Sequence, residues 1–345
     1  MEPNIANIAH SLGAWSQIGV FAAEAFLIVI AIAFIAILIA VLSSKANHKS
    51  ELEITPLHEK FKHYAQGLQE HILEKDELKA EKKKQKELEK KTPLKKKLYF
   101  IKFEGDTKAT GVEQLREEIS AVLTVATPED EVVVSVESPG GMVHGYGLAA
   151  SQLARLRNHK IPLTVCVDKV AASGGYLMSC VADKILAAPF AIVGSIGVVA
   201  QVPNFHRLLK KNDIDYQEYT AGEFKRTISL LGEITPKGEE KFRQELEETH
   251  VLFKNFVSQF RPKLDIQKIA TGEHWYGEQA IKLNLVDEIQ TSDDYLLNFS
   301  KTHSVFQVKF SKHQSLQDKI SDALGKSAVK AFENIWARLQ VQKWF

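Results

Sequence analysis

This sequence of 345 residues contains few cysteines and carries almost no net charge. Its two cysteines, Cys166 and Cys180, lie in apolar runs and predict buried thiols, so no disulfide framework is expected. The 44 Lys and Arg residues are balanced by 43 Asp and Glu residues, which leaves a formal net charge of +1. Such a chain has no overall field to attract nucleic acid, and we expect no nucleic-acid partner.

Basic residues are also missing from the first 44 positions, which instead contain a long apolar run. Residues 25–42 carry no charge, and with flanks from residue 18 the run can cross a hydrocarbon core of roughly 30 Å. We predict an N-terminal tail at 1–17 and an uncleaved anchor at 18–43. A cleaved signal peptide is the alternative, but the run is too long for one and lacks basic residues before it.

The charged residues that follow the predicted anchor indicate its orientation in the membrane. They also mark the start of a polar segment. Lys45 and Lys49 come directly after the anchor, so the positive-inside rule places the rest of the chain in the cytoplasm. Residues 44–97 are polar, with eleven lysines and five acidic residues between 75 and 97. We predict a charged, solvated helical spacer, with contact to anionic lipid as the alternative.

A globular α/β domain is predicted at residues 98–312. Apolar runs typical of strands, at 99–103, 131–136 and 162–167, alternate with helical patterns at 112–125 and 145–157. This alternation favours right-handed crossovers and a mostly parallel sheet. Further strands are expected at 184–188, 196–200 and 216–220, and further helices at 176–181 and 235–260. The amphipathic tail at 313–345 is expected to pack on the domain or on another subunit, with membrane contact as the alternative.

Ser173 is the first candidate for chemistry. It lies among small residues between the predicted strand at 162–167 and the predicted helix at 176–181. A serine at such a turn has an accessible Oγ next to helical amides, which stabilise developing negative charge. Capping of the helix is the alternative role.

Cleavage of an amide also requires donors for the oxyanion and a base. The amides of Gly174, Gly140 and Gly141 are candidate donors, because glycines allow the backbone to approach a substrate closely. The same glycines are also typical of an ordinary tight turn.

Two kinds of side chain are candidates for the base. His144, His206 and His274 each lack a recognisable Asp partner and are expected to be ordinary loop histidines. Lys225 is the alternative, provided that an apolar site desolvates its amine, with Ser195 as a hydrogen-bond partner. A lysine in such a sequence is otherwise a surface cation.

Four motifs in order give the sequence a specific resemblance. ESPGG at 137–141, AASGGY at 171–176, VGSIG at 193–197 and TAGEFK at 220–225 recur in this order in signal peptide peptidase A-like serine peptidases. The stretch GEHWYG at 272–277, the anchor and the spacer add to the likeness. It covers nearly the whole chain and is weakest in the spacer and the tail.

The resemblance implies a Ser–Lys dyad and a fold. Ser173 would be the nucleophile and Lys225 the general base, while Ser195 would position the amine of Lys225. The implied fold is a ClpP/crotonase-like spiral of βαβ units, and the implied location is the bacterial inner membrane. Relatives pack into rings with active sites at subunit contacts, so we expect a homo-oligomer. No cofactor or metal is expected.

Three functions compete at this point. The first is a membrane-anchored serine endopeptidase acting on signal-peptide remnants or other apolar segments, with its dyad completed between neighbouring subunits. The second is a catalytically weak scaffold that binds hydrophobic segments. The third is acyl-CoA chemistry on a crotonase-type fold, which the Ser–Lys pair and the anchor disfavour.

Overall fold

The computed structural model describes residues 51–91 and 96–311. The predicted anchor at 18–43 and the predicted tail at 313–345 lie outside the described residues. Within the two described ranges, no helix combines the length and the apolar character that a membrane crossing requires.

Within the described ranges, ten strands form two sheets. In chain order they are β1 Glu51–Pro56, β2 Lys97–Glu104, β3 Glu131–Glu137, β4 Leu163–Val167, β5 Val170–Ala172, β6 Lys184–Ala187, β7 Ile192–Gly194, β8 His274–Tyr276, β9 Glu288–Ile289 and β10 Ser304–Ser311. The larger sheet has the order β1-β10-β2-β3-β4-β6-β9, and its pairs from β10 to β9 are parallel. The smaller sheet has β7 at its centre, parallel to β5 and antiparallel to β8.

Helices connect these strands. They are α1 Leu57–Ile72, α2 Lys75–Lys91, α3 Val112–Leu123, α4 Val143–Asn158, α5 Gly174–Ser179, α6 His206–Lys211, α7 Pro236–Phe260, α8 Ile266–Ile269, α9 Gly277–Ala280 and α10 Ser292–Phe299, with a 3₁₀ turn at Ile281–Leu283. Helices α3 and α4 are the crossovers between parallel strands, as the alternating sequence pattern predicts. The mixed α/β fold with a parallel sheet is therefore confirmed.

The core lies on both faces of the larger sheet. In β3, Val132 and Val134 pack into the cluster under α3 and α4, while Val133 between them packs into a second cluster on the opposite face. All three side chains are fully buried. A continuous run of β-branched residues suits such a strand because both of its faces are covered.

The predicted spacer is helical in α1 and α2, as its composition indicates. Strand β1 also falls within the predicted spacer of 44–97; it was not predicted, and it lies beside β10 in the larger sheet. Leu57, at the start of α1, is buried in the second cluster together with Leu98 and Phe100. The described part of the predicted spacer thus includes residues that belong to the packed sheet, and is not solvated throughout.

Helix α7 is confirmed at both ends. The Oγ1 of Thr235 accepts a hydrogen bond from the Gly238 N–H at 3.1 Å, which caps the first turn. At the other end Arg261 donates to both carboxylate oxygens of Asp287 at 2.8 Å. These contacts fix the longest described helix against the rest of the domain.

Two predicted strands are wrong. Residues 196–200 and 216–220 form no strand, and Val199 and Tyr219 are more than 80% exposed. Apolar β-formers become a strand only when a neighbouring strand can pair with them, and β5 and β8 pair instead with the shorter segment β7. The segment from residue 195 to residue 235 is irregular apart from the six residues of α6.

Candidate active site

Ser173 occupies the turn between β5 and α5 in a strained conformation. Its φ of 52° and ψ of −116° lie outside the regions that residues with a side chain prefer. Its backbone is held on both sides, because the N–H donates to the Gly194 carbonyl at 2.8 Å and the carbonyl accepts from the Leu177 N–H at 2.9 Å. Its Oγ makes no hydrogen bond with any described residue and does not cap the helix.

The sequence pattern predicts that Ser173 follows the strand at 162–167, which is one strand too early. The predicted strand at 162–167 is β4 of the larger sheet, and the chain crosses to the smaller sheet as β5 before it reaches Ser173. Three residues are too short a run to be recognised from periodicity alone. The helix after Ser173 also begins earlier than predicted, at Gly174.

The glycine turn at 138–141 is tied to β5. The Ser138 N–H donates to the Val170 carbonyl at 2.8 Å, and the Ala172 N–H donates to the Ser138 carbonyl at 3.0 Å. Gly140 has a φ of +91°, and a Cβ there would lie 2.7 Å from the Cβ of Ser173. Only glycine fits this position, since the turn lies directly against the candidate nucleophile.

The three predicted oxyanion donors are not equivalent. The Gly140 N–H donates to the Ser138 Oγ at 3.1 Å and is already satisfied. The Gly141 N–H has no partner among the described residues. Gly174 opens α5, so its N–H has no carbonyl one turn earlier in the helix. Two of the three amides are therefore available to a ligand.

Ser195 lies next to Ser173 because of strand register. Ala172 in β5 pairs with Gly194 in β7, and each of these two residues is followed by one of the serines. Neighbouring strands run about 4.8 Å apart, so the two serines leave the sheet side by side. Ser195 is also strained, with a φ of 53°, and its N–H donates to the Glu273 carbonyl at 2.6 Å.

The two serines and the glycines share one cavity of about 730 Å³. Ser173, Ser195, Gly140, Gly141 and Gly174 all line it. The remaining walls are mainly apolar and come from α4, α5, α7 and the segment after β7; they include Val143, Leu177, Val198, Phe253 and Phe256. A hydroxyl, two available amides and apolar walls are brought together in one place.

Lys225 is not part of this arrangement. It is exposed in the irregular segment between β7 and α7, and it does not line the cavity. Its N–H donates to the Gly222 carbonyl at 3.2 Å, while its Nζ has no partner in the part of the chain that the structure describes. The described chain therefore brings the predicted nucleophile and Ser195 together, but does not bring the predicted base to them.

A histidine that no sequence motif singles out contacts the cavity. His250 on α7 lines it, and its Nε2 is buried without a hydrogen-bond partner. By contrast His144 and His274 are exposed, and neither these two nor His206 lines the cavity. Only the helical periodicity of α7, which directs residues 249, 250, 253 and 256 to one side, could have indicated His250.

No metal centre is evident within residues 51–91 and 96–311, where no group of three or more His, Cys, Asp and Glu side chains could hold an ion. Burial raises the pKa values of both Cys166 and Cys180, so neither thiol is suited to act as a nucleophile.

A serine in a strained strand-to-helix turn, beside free amides in an apolar cavity, has the features of a peptidase. The sequence profile of Peptidase family S49 matches residues 155–305, and that of Peptidase family S49 N-terminal matches residues 14–153. The chain belongs to peptidase family S49.

Individual relatives agree with this membership. The chain is 52% identical over 330 residues to the "Probable protease SohB" of Haemophilus influenzae, which covers 90% of this chain and 93% of that protein. It is 49% identical over 242 residues to the "Probable protease SohB" of Buchnera aphidicola, which covers 69% and 72%. A solved membrane-bound stomatin-specific protease aligns at 15% identity with a TM-score of 0.38, over 59% of this chain and 84% of that one, too remote a likeness to support any conclusion.

Proposed function

We propose that this peptidase is a membrane-anchored serine endopeptidase in which Ser173 is the nucleophile, Lys225 the general base and Ser195 the partner of the lysine amine. The observation that carries the proposal is Ser173 itself. Its backbone is strained, its free Oγ does not cap the helix, and the amides of Gly174 and Gly141 lie beside it. Strain of this kind, about 1–3 kcal/mol per residue, is retained where a site requires the geometry.

The proposed reaction proceeds through an acyl-enzyme. Ser173 Oγ attacks the carbonyl carbon of the scissile peptide while the neutral amine of Lys225 takes its proton. The carbonyl oxygen becomes an oxyanion that backbone amides hold, and Lys225 then gives its proton to the leaving amine. A water molecule, deprotonated by Lys225, then attacks the ester carbon. The bond from that carbon to Ser173 Oγ breaks, and Lys225 returns the proton to Oγ, which restores both residues.

We propose that a neighbouring subunit supplies Lys225. The lysine is exposed and away from the cavity in its own chain, and the segment that carries it leaves many apolar side chains in solvent. Exposed members of this segment are Val199, Val202, Phe205, Leu208, Ile214, Tyr216, Tyr219, Phe224 and Leu230. Contact with a second copy would cover these side chains and desolvate the lysine amine, which a lysine base requires. The relatives' ring assemblies and the ClpP/crotonase-like spiral of βαβ units, both implied by the family resemblance, agree with this arrangement.

The proposed substrate is an extended, apolar peptide segment. Residues 197–203 run from the cavity without any backbone hydrogen bond in the described part of the chain. Their free N–H and carbonyl groups suit a peptide that adds as a strand. The apolar cavity walls favour apolar side chains, as expected for signal-peptide remnants or other membrane-derived segments.

The membrane part of the proposal rests on the sequence alone. We propose a single-pass anchor at 18–43 in the bacterial inner membrane, with the catalytic domain in the cytoplasm because Lys45 and Lys49 follow the anchor. A periplasmic domain is the alternative. A reporter fused after Phe345 that is active only in the periplasm would exclude the cytoplasmic orientation.

A catalytically weak scaffold that binds apolar segments is the second candidate. The absence of Lys225 from the cavity of its own chain favours it, because a subunit without a base would bind peptides without cutting them. A fluorophosphonate probe separates the two functions. The enzyme predicts covalent labelling of Ser173 that is lost in Lys225→Ala, whereas the scaffold predicts no labelling.

Subunit mixing tests the shared dyad. Full-length Ser173→Ala and Lys225→Ala chains are each expected to be inactive in detergent, because each lacks one member of the dyad. After subunit exchange, hydrolysis of a fluorogenic apolar peptide should return, since some interfaces pair an intact Ser173 with an intact Lys225. Full exchange without recovered activity would mean that each subunit completes its own dyad. Turnover by Ser173→Ala alone would place the nucleophile elsewhere.

A further inference from the structure

A one-way chain of hydrogen bonds runs behind the glycine turn. The Gly140 N–H donates to the Ser138 Oγ at 3.1 Å, and that Oγ lies 2.5 Å from the Tyr146 hydroxyl. The Tyr146 hydroxyl in turn donates to the Asp106 carbonyl at 2.8 Å. Because the single hydrogen of Tyr146 is used there, Ser138 must donate to Tyr146, and every bond points the same way.

The chain is buried and tightly enclosed. Ser138 and Tyr146 are fully buried, and burial raises the pKa of the Tyr146 phenol, which keeps it protonated and able to donate. A Cβ at Gly105 would lie within about 2.5 Å of both hydroxyl oxygens, and one at Gly174 would clash with the Tyr146 ring. The ring of Tyr146 thus lies against the start of α5 while its hydroxyl reaches the glycine turn.

This arrangement decides which way the backbone of the turn faces. With its N–H bound to Ser138, the Gly140 amide is directed into the protein and is not available to the cavity. The next amide, that of Gly141, is the one left without a partner among the described residues. Rotation of the Gly140 peptide would leave the buried Ser138 Oγ without its donor, which disfavours the rotated form.

We propose that Tyr146 and Ser138 are positioning residues of the active site, which lock the Gly140 amide inward so that the amides of Gly141 and Gly174 hold the oxyanion. This inference rests on the proposed function, because an oxyanion exists only if Ser173 attacks a carbonyl. It assigns the first donor to Gly141 and removes Gly140 from that role. Tyr146 is among the residues that line the cavity. Both hydroxyls are nevertheless buried and hydrogen-bonded within the protein, so their effect on the reaction is indirect.

Tyr146→Phe is the decisive variant, because it removes one oxygen and leaves the buried ring in place. With a fluorogenic apolar peptide, kcat should fall about tenfold while KM stays the same, since the loosened turn affects only the oxyanion. A peptide aldehyde of the same sequence forms a tetrahedral adduct with the serine and should bind about tenfold more weakly. Ser138→Ala should give the same losses, and the double variant should be no worse than either single one.

Tyr176→Phe is the matched control. Tyr176 is equally buried, and its hydroxyl also donates to a backbone carbonyl, that of Leu285, at 2.9 Å. It does not line the cavity. Loss of this hydroxyl should lower the melting temperature about as much as Tyr146→Phe does, with kcat and aldehyde affinity unchanged.

The outcomes separate this inference from the proposed function. If Tyr146→Phe keeps the parent kcat and aldehyde affinity, the hydrogen-bond chain is only structural and the inference is wrong, although Ser173 can still be the nucleophile. The same holds if Tyr176→Phe lowers kcat equally. If Ser173→Ala retains turnover, the proposed function itself is wrong. That result does not depend on either tyrosine variant.

Discussion

The two parts of the proposed dyad lie in regions of opposite character. The turn that carries Ser173 is surrounded by buried residues, and its backbone is bound to β7, to the glycine turn and to its own helix. The segment that carries Lys225 is irregular and largely exposed, and it projects apolar side chains such as Tyr219 into solvent. The first region is packed among described residues, whereas the second has no comparable packing partner among them.

The difference indicates where each part of the reaction is controlled. In the proposed mechanism, oxyanion stabilisation requires fixed dipoles, and the hydrogen-bonded turn that carries Ser173 would supply them. A lysine base requires desolvation, and an exposed segment gains that only when another surface covers it. The nucleophile would thus be preorganised in every subunit, while activity would depend on assembly.

Removal of Lys225 should give the largest effect that this comparison predicts. Lys225→Ala should lower kcat/KM by roughly 10²- to 10⁴-fold, the usual contribution of a general base. Lys225→Arg should be equally inactive, because a guanidinium does not release its proton. Neither change should alter the melting temperature of a subunit, since the Nζ has no partner among the described residues.

Lys211→Ala is the control, since Lys211 is exposed in the same segment. It should leave peptide hydrolysis unchanged. An active Lys225→Arg enzyme would show that position 225 requires a charge and not a base.

Burial of the Glu118 carboxyl on α3 should make the stability of the domain depend on pH. Burial raises the pKa of Glu118 to about 7, against smaller opposing effects of the Phe310 N–H, which donates to it at 2.9 Å, and of Lys309. The folded state therefore favours the protonated acid. The stability that this preference contributes is complete below about pH 4.5 and is lost as the pH rises through 7.

Glu118→Gln should remove this dependence. Between pH 5 and pH 8 the parent should lose roughly 3 kcal/mol of unfolding free energy that the variant retains. Denaturant unfolding at the two pH values measures the difference, and comparison of parent with variant cancels the other titrating groups. An equal parent–variant difference at both pH values would contradict the prediction. Peptidase activity serves as a control, since Glu118 lies outside the cavity.

Ser195 connects the two regions in the proposed mechanism. Ser195→Ala should lower kcat about tenfold without abolishing it, because the lysine would lose a hydrogen bond that favours its neutral form. For the same reason the acid limb of the pH–rate profile should move to higher pH. A profile identical to the parent's would remove Ser195 from the site.

The strain at Ser173 predicts the smallest effect. Ser173→Gly and Ser173→Ala both lose the hydroxyl and should both be inactive. The glycine variant should be about 1 kcal/mol more stable than the alanine variant, since only glycine adopts a φ of 52° and a ψ of −116° without strain. Thermal unfolding of the two variants measures this. Equal stabilities would mean that the turn is not strained.

Elements with a long periodic pattern could be predicted from the sequence. The runs that became β2, β3 and β4 and the helices α3, α4 and α7 have apolar spacings that match one or two buried faces. The family, too, follows from four short motifs in order. Local patterns carry this information because a buried face requires apolar residues at fixed intervals along the chain.

The strands of the smaller sheet could not be predicted in this way. Each of β5, β7 and β8 has three residues, too few for a period, and they are strands only because they pair with one another. The expected strand at 196–200 contains β-formers but has no strand to pair with among the described residues. Pairing between distant segments, and not local propensity, decided the outcome.

The sequence by itself determined which residues this peptidase has available: the candidate nucleophile, the glycines, the lysine and the apolar runs of the core. Only the tertiary structure decided how they are arranged. It set Ser195 beside Ser173 through the pairing of Ala172 with Gly194, and it turned the Gly140 amide toward Ser138. It also left Lys225 in solvent. The physical reason is that hydrogen-bond direction, strand register and burial depend on contacts between residues far apart in the chain, which no local pattern encodes.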